Sequence, residues 1–233
     1  MTERTNPEIR FPLRFRAIGF DLDGTLLDTA PDIAAALNHA LQVGGRPPLP
    51  YDGVRGLIGG GAKKLLARAL AGSAGERVDP ELLEPLYAEL LAHYRANISV
   101  NTRAFDGMER ALDRLAGEGI ALGVATNKLE GLARHLLEEM GLADRFAVIV
   151  GGDTLGTERA KPKPDMLHHL VEKCGGGPAA FVGDSAFDIN AAKAAGMPSI
   201  AVSFGYPGMA VEDLGADRLI DHYDALIPAL AEL

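Results

Sequence analysis

Phe15-Arg16-Ala17-Ile18-Gly19-Phe20-Asp21-Leu22-Asp23-Gly24-Thr25 carries a short apolar run into two carboxylates and a glycine turn. A brief apolar stretch closed by a turn signal is the pattern of a strand buried on both faces. In open α/β sheets ligands gather outside the carboxyl ends of strands. Asp21 and Asp23 therefore stand where such a fold displays chemistry, and the stretch is read first as a site. Asp-x-Asp-Gly also fits a solvated turn or the start of a calcium loop. The calcium reading fails, because the segment follows a strand and the place that needs a bidentate Glu is taken by Asp32.

Similar apolar runs recur at Ile120 to Ala125, Phe146 to Val150, Ala180 to Val182 and Ser199 to Val202. Helical periodicity fills the gaps, over Met108 to Ala116, Leu129 to Met140, Pro164 to Cys174 and Ile189 to Ala195. Alternation of strand and helix predicts an α/β fold, a Rossmann-like parallel sheet with helices packed on it. One interval breaks the alternation. From Pro31 to Ala104 only helical pattern is found, with a helix over Pro31 to Val43 and an apolar face formed by Leu83, Leu86, Tyr87, Leu90, Leu91 and Tyr94. The expected division is a polar N-terminal extension over 1–14, an α/β core over 15–30 and 105–233, and a small all-helical cap over 31–104, inserted after the first strand and hanging over the acid pair.

Composition narrows the function. The chain has 233 residues, enough for one core and a satellite unit, and a net charge of −9 that repels nucleic acid in the absence of a Lys/Arg cluster. No run approaches the ~18 apolar residues of a membrane span, and the polar, Pro-containing first dozen residues lack the apolar core of a secretory signal. A cytoplasmic protein without nucleic-acid or membrane partners is expected, as monomer or homodimer. Cys174, the single cysteine, has no disulfide partner and reads as an ordinary thiol. An anionic substrate would need a small positive site inside this negative envelope, made by a metal and a few basic side chains.

Three more strand ends offer matching groups: Thr126-Asn127, Lys161 in Ala160-Lys161-Pro162-Lys163-Pro164, and Gly183-Asp184-Ser185 with Asp188 close behind. Singly, each is also explained as a helix cap, an extended loop or a turn. Together, hydroxyl and amide donors, a lysine and further carboxylates are what Mg²⁺-assisted phosphoryl transfer requires. Lys128 reads as a solvated neighbour close enough to touch substrate, and His168 and His169 as helix residues away from any strand end.

In order and spacing these four segments resemble the four motifs of the haloacid dehalogenase superfamily of aspartate-nucleophile phosphatases, over nearly the whole chain from Phe15 onward. The resemblance implies roles. Asp21 is the nucleophile and Asp23 the general acid/base. Thr126 and the backbone at Asn127 bind phosphoryl oxygens. Lys161, which opens the Lys-Pro-x-Pro segment, is preferred over Lys163 as the cation that steadies them. Mg²⁺ would be held by Asp21, the Asp23 backbone carbonyl and Asp184, while Asp188 orders Lys161 or a metal-bound water. Asp23 argues against the dehalogenase and phosphonatase branches, which lack a second aspartate there. Transport ATPases would need membrane helices.

Asp28-Thr29-Ala30-Pro31-Asp32, Ile58 to Lys63, Gly151-Gly152-Asp153 and Ser203 to Tyr206 are most similar to the bacterial phosphoglycolate phosphatases. That resemblance implies a small anionic phosphate ester as substrate, 2-phosphoglycolate first. A sugar phosphomutase of the β-phosphoglucomutase type, or a phosphatase for another phosphosugar or pyrophosphate, is the alternative. The cap must then answer the substrate carboxylate, and Arg55 or Lys63, beside the glycine stretch, is the expected contact.

Overall fold

The computed structural model describes residues 13–72 and 78–233. Most of the expected N-terminal extension, residues 1–12, lies outside them. Six strands form one sheet: β1 (Ala17–Phe20), β4 (Ala121–Ala125), β5 (Val148–Val150), β6 (Ala179–Gly183), β7 (Ser199–Val202) and β8 (Arg218–Ile220), in the order β5-β4-β1-β6-β7-β8 with every pairing parallel. The apolar run at Phe15 is thus the centre of the sheet. From β1 the chain builds outward through β4 and β5, then returns to the other side of β1 with β6. The topological switch point, where open sheets bind ligands, is at the carboxyl end of β1.

Side chains alternate across each strand. On β6, Ala180 and Val182 join Ile18 and Phe20 of β1 in one apolar layer, while Phe181 points into the other. The first layer is completed by α5 (Met108–Gly117), α6 (Glu130–Glu139) and α9 (Leu226–Ala231), through residues such as Leu112, Leu136 and Leu230. The second is completed by α7 (Asp165–Lys173) and α8 (Ala186–Ala194), through Leu167, Leu170 and Ala192. Burying both faces accounts for strands that read as continuous apolar runs.

Between β1 and α5 the chain forms α1 (Ala30–Val43), α2 (Tyr51–Arg55), α3 (Ala62–Ala71) and α4 (Pro80–Ala96). Asp79 caps α4, its carboxylate accepting from the Glu81 N–H at 2.9 Å. The periodic face Leu86, Leu90 and Tyr94 of α4 is buried. This helical stretch is bracketed by a two-stranded antiparallel ladder, β2 (Leu27–Asp28) with β3 (Arg103–Ala104), which pairs Leu27 with Ala104 and Asp28 with Arg103. Beside the ladder, Asp32 accepts from the backbone N–H groups of Asn101 and Thr102 and from the Thr102 hydroxyl at 2.8–3.0 Å. No described helix is long and apolar enough to cross a membrane.

Candidate active site

The turn after β1 closes tightly. The Asp21 N–H donates to the Val182 carbonyl at 2.9 Å, continuing the β1–β6 ladder by one step and fixing the Asp21 side chain at the strand end. Gly24 follows with φ of 87°, a left-handed conformation open to glycine. A Cβ there would lie 2.3 Å from Oδ2 of Asp184, and one on Gly205 would lie 2.4 Å from the Asp184 Cβ. Both glycines let the loops after β1 and β7 close around Asp184, whose Oδ2 accepts from the Tyr206 N–H at 2.6 Å and whose Oδ1 accepts from the Thr25 hydroxyl at 3.3 Å.

Asp21, Asp184 and Asp188 are buried and bring carboxylate oxygens within 4.8 Å of one another. Lys161, 2% exposed, donates from Nζ to Asp21 at 2.7 Å and to Asp188 at 2.5 Å. Asp188 is oriented in turn by the Ser185 N–H and hydroxyl at 3.0 and 2.6 Å, a capping box at the start of α8. Burial, with the opposing pull of Lys161 and the added push of the Asp188 and Asp23 charges, brings the Asp21 carboxyl up to about 6. Burial also lifts Asp184 well above the usual carboxylate range, reinforced by Asp188 and Asp21. Burial alone would lower the Lys161 ammonium, but the carboxylates of Asp188 and Asp21 outweigh it and raise it. Once ionised, three carboxylates against one ammonium would leave two negative charges for a bound cation to offset. An all-oxygen donor set with that deficit fits a hard divalent cation.

Above this cluster Asp21, Asp23, Thr126 and Asn127 line a cavity roofed by α1, α3 and α4 through Ile33, Leu65 and Leu90. The Asp23 carboxylate accepts from the Thr29 hydroxyl at 2.7 Å and, at its two oxygens, from Lys128 Nζ at 2.6 and 2.7 Å. Asn127 donates from its side-chain amide to the Gly59 carbonyl at 2.9 Å and the Lys161 carbonyl at 3.1 Å, tying the segment before α3 to the Lys161 loop.

The expectation for Lys128 needs revision, and the other predicted residues fall as follows. Lys128 is not solvated; it is 8% exposed, because Asp23 and the face of Tyr94 enclose it. The Asp23 side chain stands apart from the carboxylate cluster, whose third member is Asp188. Neither Arg55 nor Lys63 lines the cavity. Arg55 donates to the Gly205 carbonyl at 3.1 Å and covers the Tyr206 ring, while Lys63 is paired with Glu84 beside Tyr87 in a neighbouring groove. His168 is exposed on α7, far along the chain from any strand end, and His169 is half-buried. Tyr94 and Lys128 went unrecognised as a pair because nothing local joins a residue of α4 to one after β4.

The haloacid dehalogenase-like hydrolase family profile matches residues 18–202. The chain is 44% identical over 217 residues to a phosphoglycolate phosphatase of Agrobacterium fabrum, covering 91% of both proteins. It is 44% identical over 196 residues to one of Neisseria meningitidis, covering 83% of both. Among solved structures, a predicted phosphoglycolate phosphatase from Haemophilus somnus superposes with a TM-score of 0.85 at 28% identity, covering 92% of this chain and 97% of that one. CbbY from Rhodobacter sphaeroides, in complex with phosphate, does so with a TM-score of 0.79 at 27% identity, covering 94% and 100%.

Proposed function

The chain belongs to the haloacid dehalogenase-like hydrolase family and is a phosphatase, and we propose that its substrate is 2-phosphoglycolate, hydrolysed to glycolate and phosphate through an aspartyl-phosphate on Asp21. The observation that carries the mechanism is the buried Asp21 carboxylate, paired with Lys161 and opening on a roofed cavity at the switch point of the sheet. The substrate is carried by the phosphoglycolate phosphatases that match this chain over most of its length.

In this reading residues 31–104 form the cap, residues 15–30 and 105–233 the catalytic core. Mg²⁺ would be held by Asp21, Asp184, the Asp23 backbone carbonyl and, directly or through water, Asp188; once bound it would offset the charge of the phosphoryl oxygens and of Asp21. The Asp21 oxygen attacks phosphorus, the bond from phosphorus to the glycolate oxygen breaks, and Asp23 gives that oxygen its proton. Water then attacks the same phosphorus while Asp23 recovers a proton from it. The acyl-phosphate bond breaks, releasing phosphate and restoring the Asp21 carboxylate. Thr126 and the Asn127 backbone hold phosphoryl oxygens, and Lys161 supplies fixed positive charge. The apolar roof of Ile33, Leu65 and Leu90 limits water around the reacting atoms.

Incubation with a panel of phosphate monoesters and Mg²⁺ tests this reading. Preferential release of inorganic phosphate from 2-phosphoglycolate supports it. Preference for another ester, or interconversion of sugar phosphates without phosphate release, overturns it.

A further inference from the structure

The acids, Lys161 and Thr126 provide for the phosphate; the leaving group must occupy the rest of the cavity, whose walls include Ile33, Ile58, Leu65, Leu90 and Leu129. Glycolate brings a carboxylate into this apolar surround, and a buried carboxylate needs paired donors. Lys128 is the one cation among the described residues that line the cavity. Its Nζ lies 4.7 Å from the centre of the Tyr94 ring. Tyr94 is 4% exposed and lines the same cavity, and its hydroxyl, close to the Lys128 ammonium, makes no well-formed hydrogen bond. Leaving such a group unpaired costs about 1–3 kcal/mol, so it is poised for an acceptor.

We propose that Lys128 and Tyr94 together form the subsite for the carboxylate of the leaving group, a specificity device shared between the core and α4. An ammonium has three N–H donors. Two serve the oxygens of Asp23, and the third, on the side of Tyr94, is the one available to a substrate oxygen. The Tyr94 hydroxyl donates to the other carboxylate oxygen. Burial pushes the Tyr94 phenol up to about 12, so it keeps its proton at neutral pH. An ester with an uncharged leaving group would leave both donors unpaired, which is how buried polar groups reject analogues. The basic residues flanking the glycine stretch are engaged elsewhere, Arg55 with Gly205, Lys63 with Glu84 and Lys64 over the Phe187 ring.

The inference rests on the phosphoglycolate reading, and one experiment separates the two. The ratio of kcat/KM for 2-phosphoglycolate to that for ethyl phosphate, which carries a methyl where glycolate has its carboxylate, is measured for wild type, Tyr94→Phe, Lys128→Met and Lys128→Arg. Wild type should favour 2-phosphoglycolate. Tyr94→Phe should lower the ratio about tenfold and Lys128→Met about 100-fold, from the value of hydrogen bonds to a charged group, with Lys128→Arg falling between Lys128→Met and wild type. A wild-type ratio near one overturns the substrate reading and the subsite with it. A wild-type preference that persists in Tyr94→Phe and Lys128→Met, with both esters slowed in parallel, overturns the subsite alone. Tyr94→Phe removes a single oxygen and keeps the ring that packs on Lys128, so it tests the subsite even where Lys128→Met fails to fold.

Discussion

Lys128 grips Asp23 at both carboxylate oxygens, at 2.6 and 2.7 Å, with side-chain exposures of 6% and 12%. Burial alone would lower the Lys128 ammonium, and Asp23, with help from Tyr94, reverses this and raises it. Removing the cation strands a mostly buried carboxylate. Lys128→Met should therefore destabilise the fold by about 3 kcal/mol, measured by urea denaturation, and Asp23→Asn in the same chain should restore a large part of the loss. Equal stability of wild type and Lys128→Met would show that the pair contributes nothing.

Asp21→Asn is expected to lower phosphate release by on the order of 10³-fold or more, as loss of a nucleophile does. Its thermal midpoint should be equal to or above that of wild type, because burial already disfavours the Asp21 charge. Near-normal turnover in this variant would remove Asp21 from the nucleophile's role.

Metal binding should be linked to pH. With Asp21 raised to about 6 and Asp184 raised as well, these carboxyls must shed protons before they can ligate, so affinity falls with pH and is lost as Asp21 takes up its proton near pH ~6. Calorimetric titration with Mg²⁺ should show affinity dropping at least about tenfold for each pH unit below that point, a factor of about ten for each proton displaced. A pH-independent affinity between 5 and 8 would place the ion away from these aspartates.

Gly24→Ala should weaken Mg²⁺ binding, since its Cβ would lie 2.3 Å from Asp184 Oδ2 in a left-handed backbone. The conformational part alone is about 1–2 kcal/mol. Gly45→Ala is the control: φ is 66° there, but a Cβ meets nothing within 4 Å, so stability should fall while metal affinity is kept. Equal metal affinity in both variants would mean that Asp184 tolerates the displacement.

The sheet was legible in the sequence because each of its inner strands is largely apolar on both faces and runs into Gly, Asp, Thr or Ser. Arg218–Ile220 was not, since an edge strand with Leu219 exposed has no such run. Two-residue strands such as Leu27–Asp28 and Arg103–Ala104 are too short to show a period. Strand-end chemistry was legible for Asp21, Asp184, Lys161 and Thr126, which the topology gathers from four separate loops. Lys128 was not, because a lysine after a strand end looks alike whether it faces water or an aspartate distant in the chain. The basic residues of the cap misled for the converse reason: Arg55 and Lys63 stand next to a glycine stretch in sequence, but α2 and α3 direct them to Tyr206 and Glu84 instead.

The pairing of Leu27 with Ala104 and of Asp28 with Arg103 has an evolutionary and folding corollary. Across an antiparallel pair the partners' Cα atoms are about 5 Å apart, so everything from Thr29 to Thr102 is, topologically, the loop of one hairpin. A tight turn joining Asp28 to Arg103 would close the core without rethreading a strand. On the proposed reading, replacing the helices above the site would change which leaving group is admitted while the sheet and its acidic cluster continue to fold around the same register.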